Sequence, residues 1–192
     1  MAKKESSFVN MVVTLLVISL VASTSLGYIY ELTKEPIEAA KLAKKLQAID
    51  AVVPAYDNQP VDEMYKIPGT SPGDTLEFYP ARKNNELVGT AVRTYSKNGY
   101  GGIVYIMVGI TPEGIIQDTK VVEHKETPGL GTKMADPTFS DQFKGMDPSN
   151  KTIKVKKDNG DVDAITAATI SSRAFCEATQ LAVDTYKKGG RK

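Results

Sequence analysis

The chain has 192 residues, with 24 Lys and Arg against 23 Asp and Glu and a formal net charge of +1. Setting aside Lys3, Lys4 and Glu5 leaves basic and acidic residues equal in number, which excludes the basic surface of a nucleic-acid binder. The single cysteine, Cys176, excludes an internal disulfide and a cysteine-ligated iron–sulfur cluster within this chain, and the single histidine, His124, cannot build a metal centre without several carboxylate or water partners.

Residues 1–7 precede an uncharged apolar run from Phe8 to Tyr30 that includes Val12, Val13, Leu15, Leu16, Val17, Ile18, Leu20, Val21 and Leu26. At about 1.5 Å per residue such a run crosses a hydrocarbon core of about 30 Å, so a transmembrane helix is predicted over 8–30. Lys3 and Lys4 place the N-terminus in the cytoplasm by the positive-inside rule, with the remainder across the membrane and Tyr28 and Tyr30 at the far interface. A cleaved signal peptide is the alternative reading. Against it, the run exceeds the roughly 7–15 apolar residues of a signal sequence and no small-x-small site ends it.

Leu32, Ile37, Ala39, Leu42, Ala43, Leu46, Ile49 and Val53 form an intermittent apolar face, predicting a stalk or packing helix over 31–53 that begins near Pro36. The Pro- and Gly-rich stretch from Pro54 to Gly73 reads as loop and opens a single domain over 54–192. Leu76–Tyr79 and Leu87–Tyr95 flank Asn84-Asn85, while Ile103–Ile110 and Ile115–Val122 flank Thr111-Pro112-Glu113-Gly114, so both pairs read as hairpins. Strands followed by a terminal helix predict an α+β fold with an antiparallel sheet and flanking helices.

That last helix is read from Ile170, Ala174, Phe175, Ala178, Leu181, Ala182 and Tyr186, with Lys187 and Lys188 near its end. Thr166, Thr169, Ser171 and Ser172 lie at its start, where free backbone N–H groups and the helix dipole stabilise an anion. Plain capping, with Thr166 or Thr169 accepting a backbone N–H, accounts for the same hydroxyls. Cys176 reads as a small buried apolar residue. Gly129 and Gly131 allow backbone to approach a flat ligand closely, although an ordinary turn has the same composition.

The stretch from Asp163 to Thr169 resembles the flavinylation motif Asp-x-x-(Ser/Thr)-Gly-Ala-Thr, except that Ala167 stands where the motif has Gly. An αL backbone there is costly for Ala. Tyr100-Gly101-Gly102, the apolar run that follows, and His124-Lys125-Glu126-Thr127-Pro128-Gly129-Leu130-Gly131 resemble, over roughly residues 85–185, the FMN-binding domain of two families. These are the G subunit of Rnf ferredoxin:NAD⁺ oxidoreductases and the C subunit of sodium-translocating NADH:quinone oxidoreductases; the short chain favours the former. The resemblance implies FMN joined through its phosphate to Thr169 by a flavin transferase that reads Asp163. It further implies a flavin bordered by Tyr100, Gly101, Gly102, His124, Glu126, Thr127, Gly129, Leu130 and Gly131, with Thr166, Ala168, Ile170 and Ser171 around the attachment point. No general base, nucleophile or catalytic residue is evident.

By the same resemblance the chain is a single-pass electron-transfer subunit of the inner membrane, in contact with lipid. Its FMN domain is extracytoplasmic, on the periplasmic side, and its partners include iron–sulfur and flavin subunits that couple electron flow to ion translocation. A flavoprotein like the C subunit of the quinone reductases, a stand-alone anchored FMN carrier feeding an extracytoplasmic reductase, and a non-redox interaction module are the alternatives.

Overall fold

The computed structural model describes residues 7–69 and 75–190. Lys3, Lys4 and Glu5, on which the expected orientation rests, and Pro72 and Gly73 of the expected loop lie outside the described residues. The chain divides into two units between Ala43 and Lys44.

Helix α1 (Phe8–Val52), whose last residues belong to the second unit, replaces the two helices expected over 8–30 and 31–53, and Pro36 lies inside it instead of starting a new helix. Proline there removes the N–H that would bond the Leu32 carbonyl, but Leu32 is exposed, so the helix continues without burying an unpaired carbonyl. Its apolar start is long enough to cross a membrane. Three of its hydroxyls are satisfied internally: Thr14 donates to the Asn10 carbonyl at 2.7 Å, Thr24 to Leu20 at 2.7 Å and Ser25 to Val21 at 2.8 Å. In hydrocarbon these three hydroxyls would already be paired.

The second unit is built on one antiparallel sheet whose spatial order β1-β2-β3-β4-β5 follows the chain. The strands are β1 (Tyr65–Pro68), β2 (Thr75–Lys83), β3 (Glu86–Gly99), β4 (Gly102–Ile110) and β5 (Ile116–Glu123). Asn84 and Asn85 adopt φ of 51° and 69°, the left-handed pair that a two-residue hairpin turn requires and asparagine tolerates. Strand β1 departs from expectation, because its residues fall within the stretch read as loop. Its alternating Tyr65 and Ile67 pack on the core, and Pro68 is accommodated because β1 is an edge strand.

Alternation along the strands makes two cores. Phe78, Val92, Val104, Ile106 and Val108 face helix α3 (Thr169–Thr185), which contributes Ala174, Phe175, Ala178 and Ala182. Phe175 also meets Phe139 and Phe143 at ring-centroid distances of 5.3 and 4.8 Å, closing the bottom of that core with the short helix α2 (Pro137–Ser140) and the turn after it. The opposite sheet face presents Tyr79, Ala81, Ala91 and Met107 to Ala48, Ile49 and Val52 at the end of α1. α3 is fixed over β3 by polar bonds: Thr94 donates to the Ala178 carbonyl at 2.9 Å, and Ser96 to Glu177 at 2.7 Å.

Gly109 carries the closest approach on the α1 side, since a Cβ there would lie 1.7 Å from the Val52 carbonyl oxygen. Backbone cannot yield as a side chain can, so Gly109→Ala is expected to lower unfolding free energy by at least about 1–3 kcal/mol, the usual cost of overpacking. Chemical denaturation of the full chain in detergent measures it.

Candidate functional site

Three stretches distant in sequence meet at the N-terminal end of α3. The turn between β3 and β4 supplies Tyr100, the loop after β5 supplies Glu126, Thr127, Leu130 and Gly131, and the start of α3 supplies Ala167, Ala168, Thr169, Ile170 and Ser171. Together they line a cavity of about 470 Å³, within the size range of small-ligand sites. Among the described residues of the second unit, the exposed large apolar side chains are Tyr100, Ile103, Leu130 and Ile170, and all but Ile103 line this cavity. Exposed apolar side chains gathered at a cavity mouth mark a binding site on an otherwise polar surface.

The turn entering α3 is unusual. Ala167 has φ of +62°, a left-handed conformation that a Cβ disfavours. It reverses the chain so that Ala168 becomes the N-cap residue, and that cap has no side-chain hydrogen bond. Neither Thr166 nor Thr169 caps the helix. The turn is held instead by Ser172, whose buried hydroxyl accepts the Ile165 N–H at 2.9 Å and donates to the Ala168 carbonyl at 3.0 Å. Among the described residues, the N–H groups of Thr169, Ile170 and Ser171 and the hydroxyl of half-buried Thr169 have no hydrogen bond. An unsatisfied first turn beside an open hydroxyl is suited to an anionic group.

Glu126 is the one buried carboxylate at the cavity. Its side chain accepts the Gly101 N–H at 3.1 Å and the Ser171 hydroxyl at 2.6 Å, the latter within the range of a charge-assisted bond. His124 lies outside the cavity lining; its Nδ1 accepts the Glu126 N–H at 3.2 Å and so fixes the loop. Gly101 in the turn and Gly102 at the start of β4 do not line the cavity, and Gly102 has φ of +116°. Gly129 has φ of +77° and donates to the Thr132 hydroxyl at 2.9 Å, with open space where a Cβ would stand. Gly131 is closed by protein rather than open to a ligand, because a Cβ there would lie 2.4 Å from Glu126 Oε2.

Asp163 and Thr166 are not brought to this cavity. They line a neighbouring one of about 420 Å³ with Lys133, Asp136, Phe139 and Gln142. The exposed Asp163 carboxylate pairs with Lys156 at 2.8 Å, and Gln142 clamps the Asp163 backbone by accepting its N–H at 2.7 Å and donating to its carbonyl at 3.2 Å. Gln142, Lys156 and the bonding of Ser172 carried no signal in the sequence, since each acts through a partner that spacing alone does not reveal. Cys176 is buried, and burial, followed by the charge of Asp158, pushes its thiol up to about 12, so it stays protonated and inert near neutrality.

The family described as FMN-binding domain matches residues 99–184, which span all three cavity-forming stretches. The G subunit of the ion-translocating oxidoreductase complex of Erwinia tasmaniensis is 37% identical over 178 residues, covering 88% of this chain and 84% of that protein. The G subunit of the Na⁺-translocating ferredoxin:NAD⁺ oxidoreductase complex of Acetobacterium woodii is 30% identical over 184 residues, covering 90% of this chain and 88% of that protein. Among solved structures, Shewanella oneidensis NqrC is similar with a TM-score of 0.48 and 21% identity, covering 71% of this chain and 69% of that one.

Relieving the left-handed Ala167 gives a direct stability test. Ala167→Gly removes a backbone strain of about 1–2 kcal/mol while adding freedom to the unfolded chain, so a net gain of up to about 1 kcal/mol is expected. Comparing denaturation midpoints of the two full-length chains measures it.

Proposed function

This chain belongs to the G-subunit family of ion-translocating oxidoreductase complexes, and from that premise we propose that it is the electron-transfer subunit of such a complex, holding FMN covalently at Thr169. The observation that carries the reading is the cavity at the start of α3, where the unbonded Thr169 hydroxyl lies beside free first-turn N–H groups and an apolar rim. A flavin mononucleotide needs both features: a flat aromatic ring to cover and a phosphate to neutralise.

The residues divide this work. Tyr100, Leu130 and Ile170 border the ring and exclude water from it. The N–H groups of Thr169, Ile170 and Ser171 stabilise the phosphate, helped by the positive end of the α3 dipole. Thr169 Oγ1 would carry the phosphoester: a flavin transferase would move the FMN phosphoryl group from a flavin dinucleotide to this hydroxyl, breaking the pyrophosphate bond and releasing the other nucleotide as the hydroxyl proton is lost. Asp163, on the outer side of the turn, is what that transferase reads. FMN bound there supplies one- and two-electron transfer, so the protein holds and places the cofactor without a general base or nucleophile.

The apolar part of α1 anchors the chain as one membrane span, with the N-terminus cytoplasmic and Thr169 on the far side. Iron–sulfur and flavin subunits of the complex exchange electrons with it, and the assembly couples that flow to ion movement.

Two measurements test this. Chain purified from a host containing the flavin transferase is expected to keep in-gel flavin fluorescence after denaturation, and Thr169→Ala to lose it completely; covalent flavin in that variant overturns the attachment site. For orientation, a cysteine introduced at exposed Lys151 is expected to react with a membrane-impermeant maleimide added outside the inner membrane. Reaction only after the cytoplasm is opened reverses the topology.

A further inference from the structure

Both oxygens of the buried Glu126 carboxylate are held by protein donors from two other parts of the chain. Oε1 accepts the Gly101 N–H in the β3–β4 turn, and Oε2 accepts the hydroxyl of Ser171, the third residue of α3. Backbone passes close to this carboxylate and to the chain just before it. A Cβ at Gly99 would lie 2.7 Å from Oε1, one at Gly131 would lie 2.4 Å from Oε2, and one at Gly101 would lie 1.8 Å from the Lys125 carbonyl oxygen. Three of the glycines around this site are therefore required by the approach of chain to chain around Glu126, which is a different reason from the approach of backbone to a ligand.

Resting on the FMN reading above, we propose that Glu126 is a positioning residue: it assembles the flavin cavity before the cofactor arrives, by tying the Tyr100 turn to the first turn of α3. It acts on the flavin through those two elements. Without the tie, the turn carrying Tyr100 keeps its strand pairing but loses its bond to the loop, and the first turn of α3 loses its bond through Ser171. The site then has its attachment residue but no fixed wall opposite it.

A glutamine is the informative replacement. Its amide oxygen accepts the Gly101 N–H, and its amide nitrogen donates to Ser171, whose hydroxyl rotates to accept. Glu126→Gln thus retains the tie while removing the charge, whereas Glu126→Ala removes both and Ser171→Ala removes one arm.

The test uses the full chain in detergent, first without flavin. Hydrogen exchange followed by mass spectrometry is expected to be about tenfold faster in the 99–102 turn of Glu126→Ala than in the parent chain, the effect of losing one bond to a charged acceptor, with glutamine recovering most of the protection. Peptides from the β2–β3 hairpin are expected to exchange unchanged in all variants. The same proteins are then made with the flavin transferase. The visible circular-dichroism band of the bound flavin is expected to collapse in Glu126→Ala, to weaken in Ser171→Ala and to persist in Glu126→Gln. Unchanged turn exchange, or a parental flavin band, in Glu126→Ala overturns the proposal; if that variant fails to fold, the same two results in Ser171→Ala do so. A parent chain that takes up no flavin from the transferase overturns the cofactor reading instead, and leaves the exchange result to decide the role of Glu126.

Discussion

One carboxylate holds the site together. Glu126 is buried between a strand turn and a helix start, and a buried carboxylate is tolerated only when donors take the place of water. Gly101 and Ser171 are those donors, each bond to a charged acceptor contributing about 1.5–3 kcal/mol. The constraint runs outward from there. Strand β3 must be long enough to bring its turn over α3, glycines must stand where backbone passes close to the carboxylate, and α3 must begin with its first turn facing inward. Its docking through Thr94 and Ser96 sets that facing.

The entry into α3 carries a second requirement, and it opposes stability. Ala167 adopts a left-handed backbone at a position where glycine would fit without strain, and the N-cap that follows makes no side-chain bond. Both departures leave the beginning of the helix less satisfied than an ordinary one. They also leave the Thr169 hydroxyl and the first-turn N–H groups unengaged, whereas a conventional cap would occupy them. Strain retained at a functional turn and balanced by packing elsewhere is a familiar arrangement; here the balance comes from Ser172 and from Phe175 in the core behind it.

Local chemistry made much of the fold legible. Both hairpins follow from turn residues between alternating strands, and α3 follows from its apolar periodicity. Strand β1 was concealed because its residues lie among prolines and glycines, and only pairing with β2 makes Tyr65–Pro68 extended. The continuity of α1 through Pro36 was concealed because local rules treat an interior proline as a boundary. At the site, the resemblance of Asp163–Thr169 to a known pattern pointed to the start of α3, and the loop from Glu126 to Gly131 pointed to the opposite wall of the cavity. The roles within that loop were not legible. Glu126 bonds to partners 25 and 45 residues away, and the glycines near it serve those contacts, so nothing in their spacing distinguishes packing against a side chain from approach to a ligand.

We propose that the cavity built around Glu126 holds the flavin ring between the Tyr100 turn and α3. An experimental structure of the flavin-loaded chain tests it most directly. The ring is expected to be bordered by Tyr100, Leu130 and Ile170, with phosphorus bonded to Thr169 Oγ1 and Glu126 still bonded to Gly101 and Ser171. A ring seated in the neighbouring cavity beside Asp163 and Gln142, or lying outside both, contradicts it.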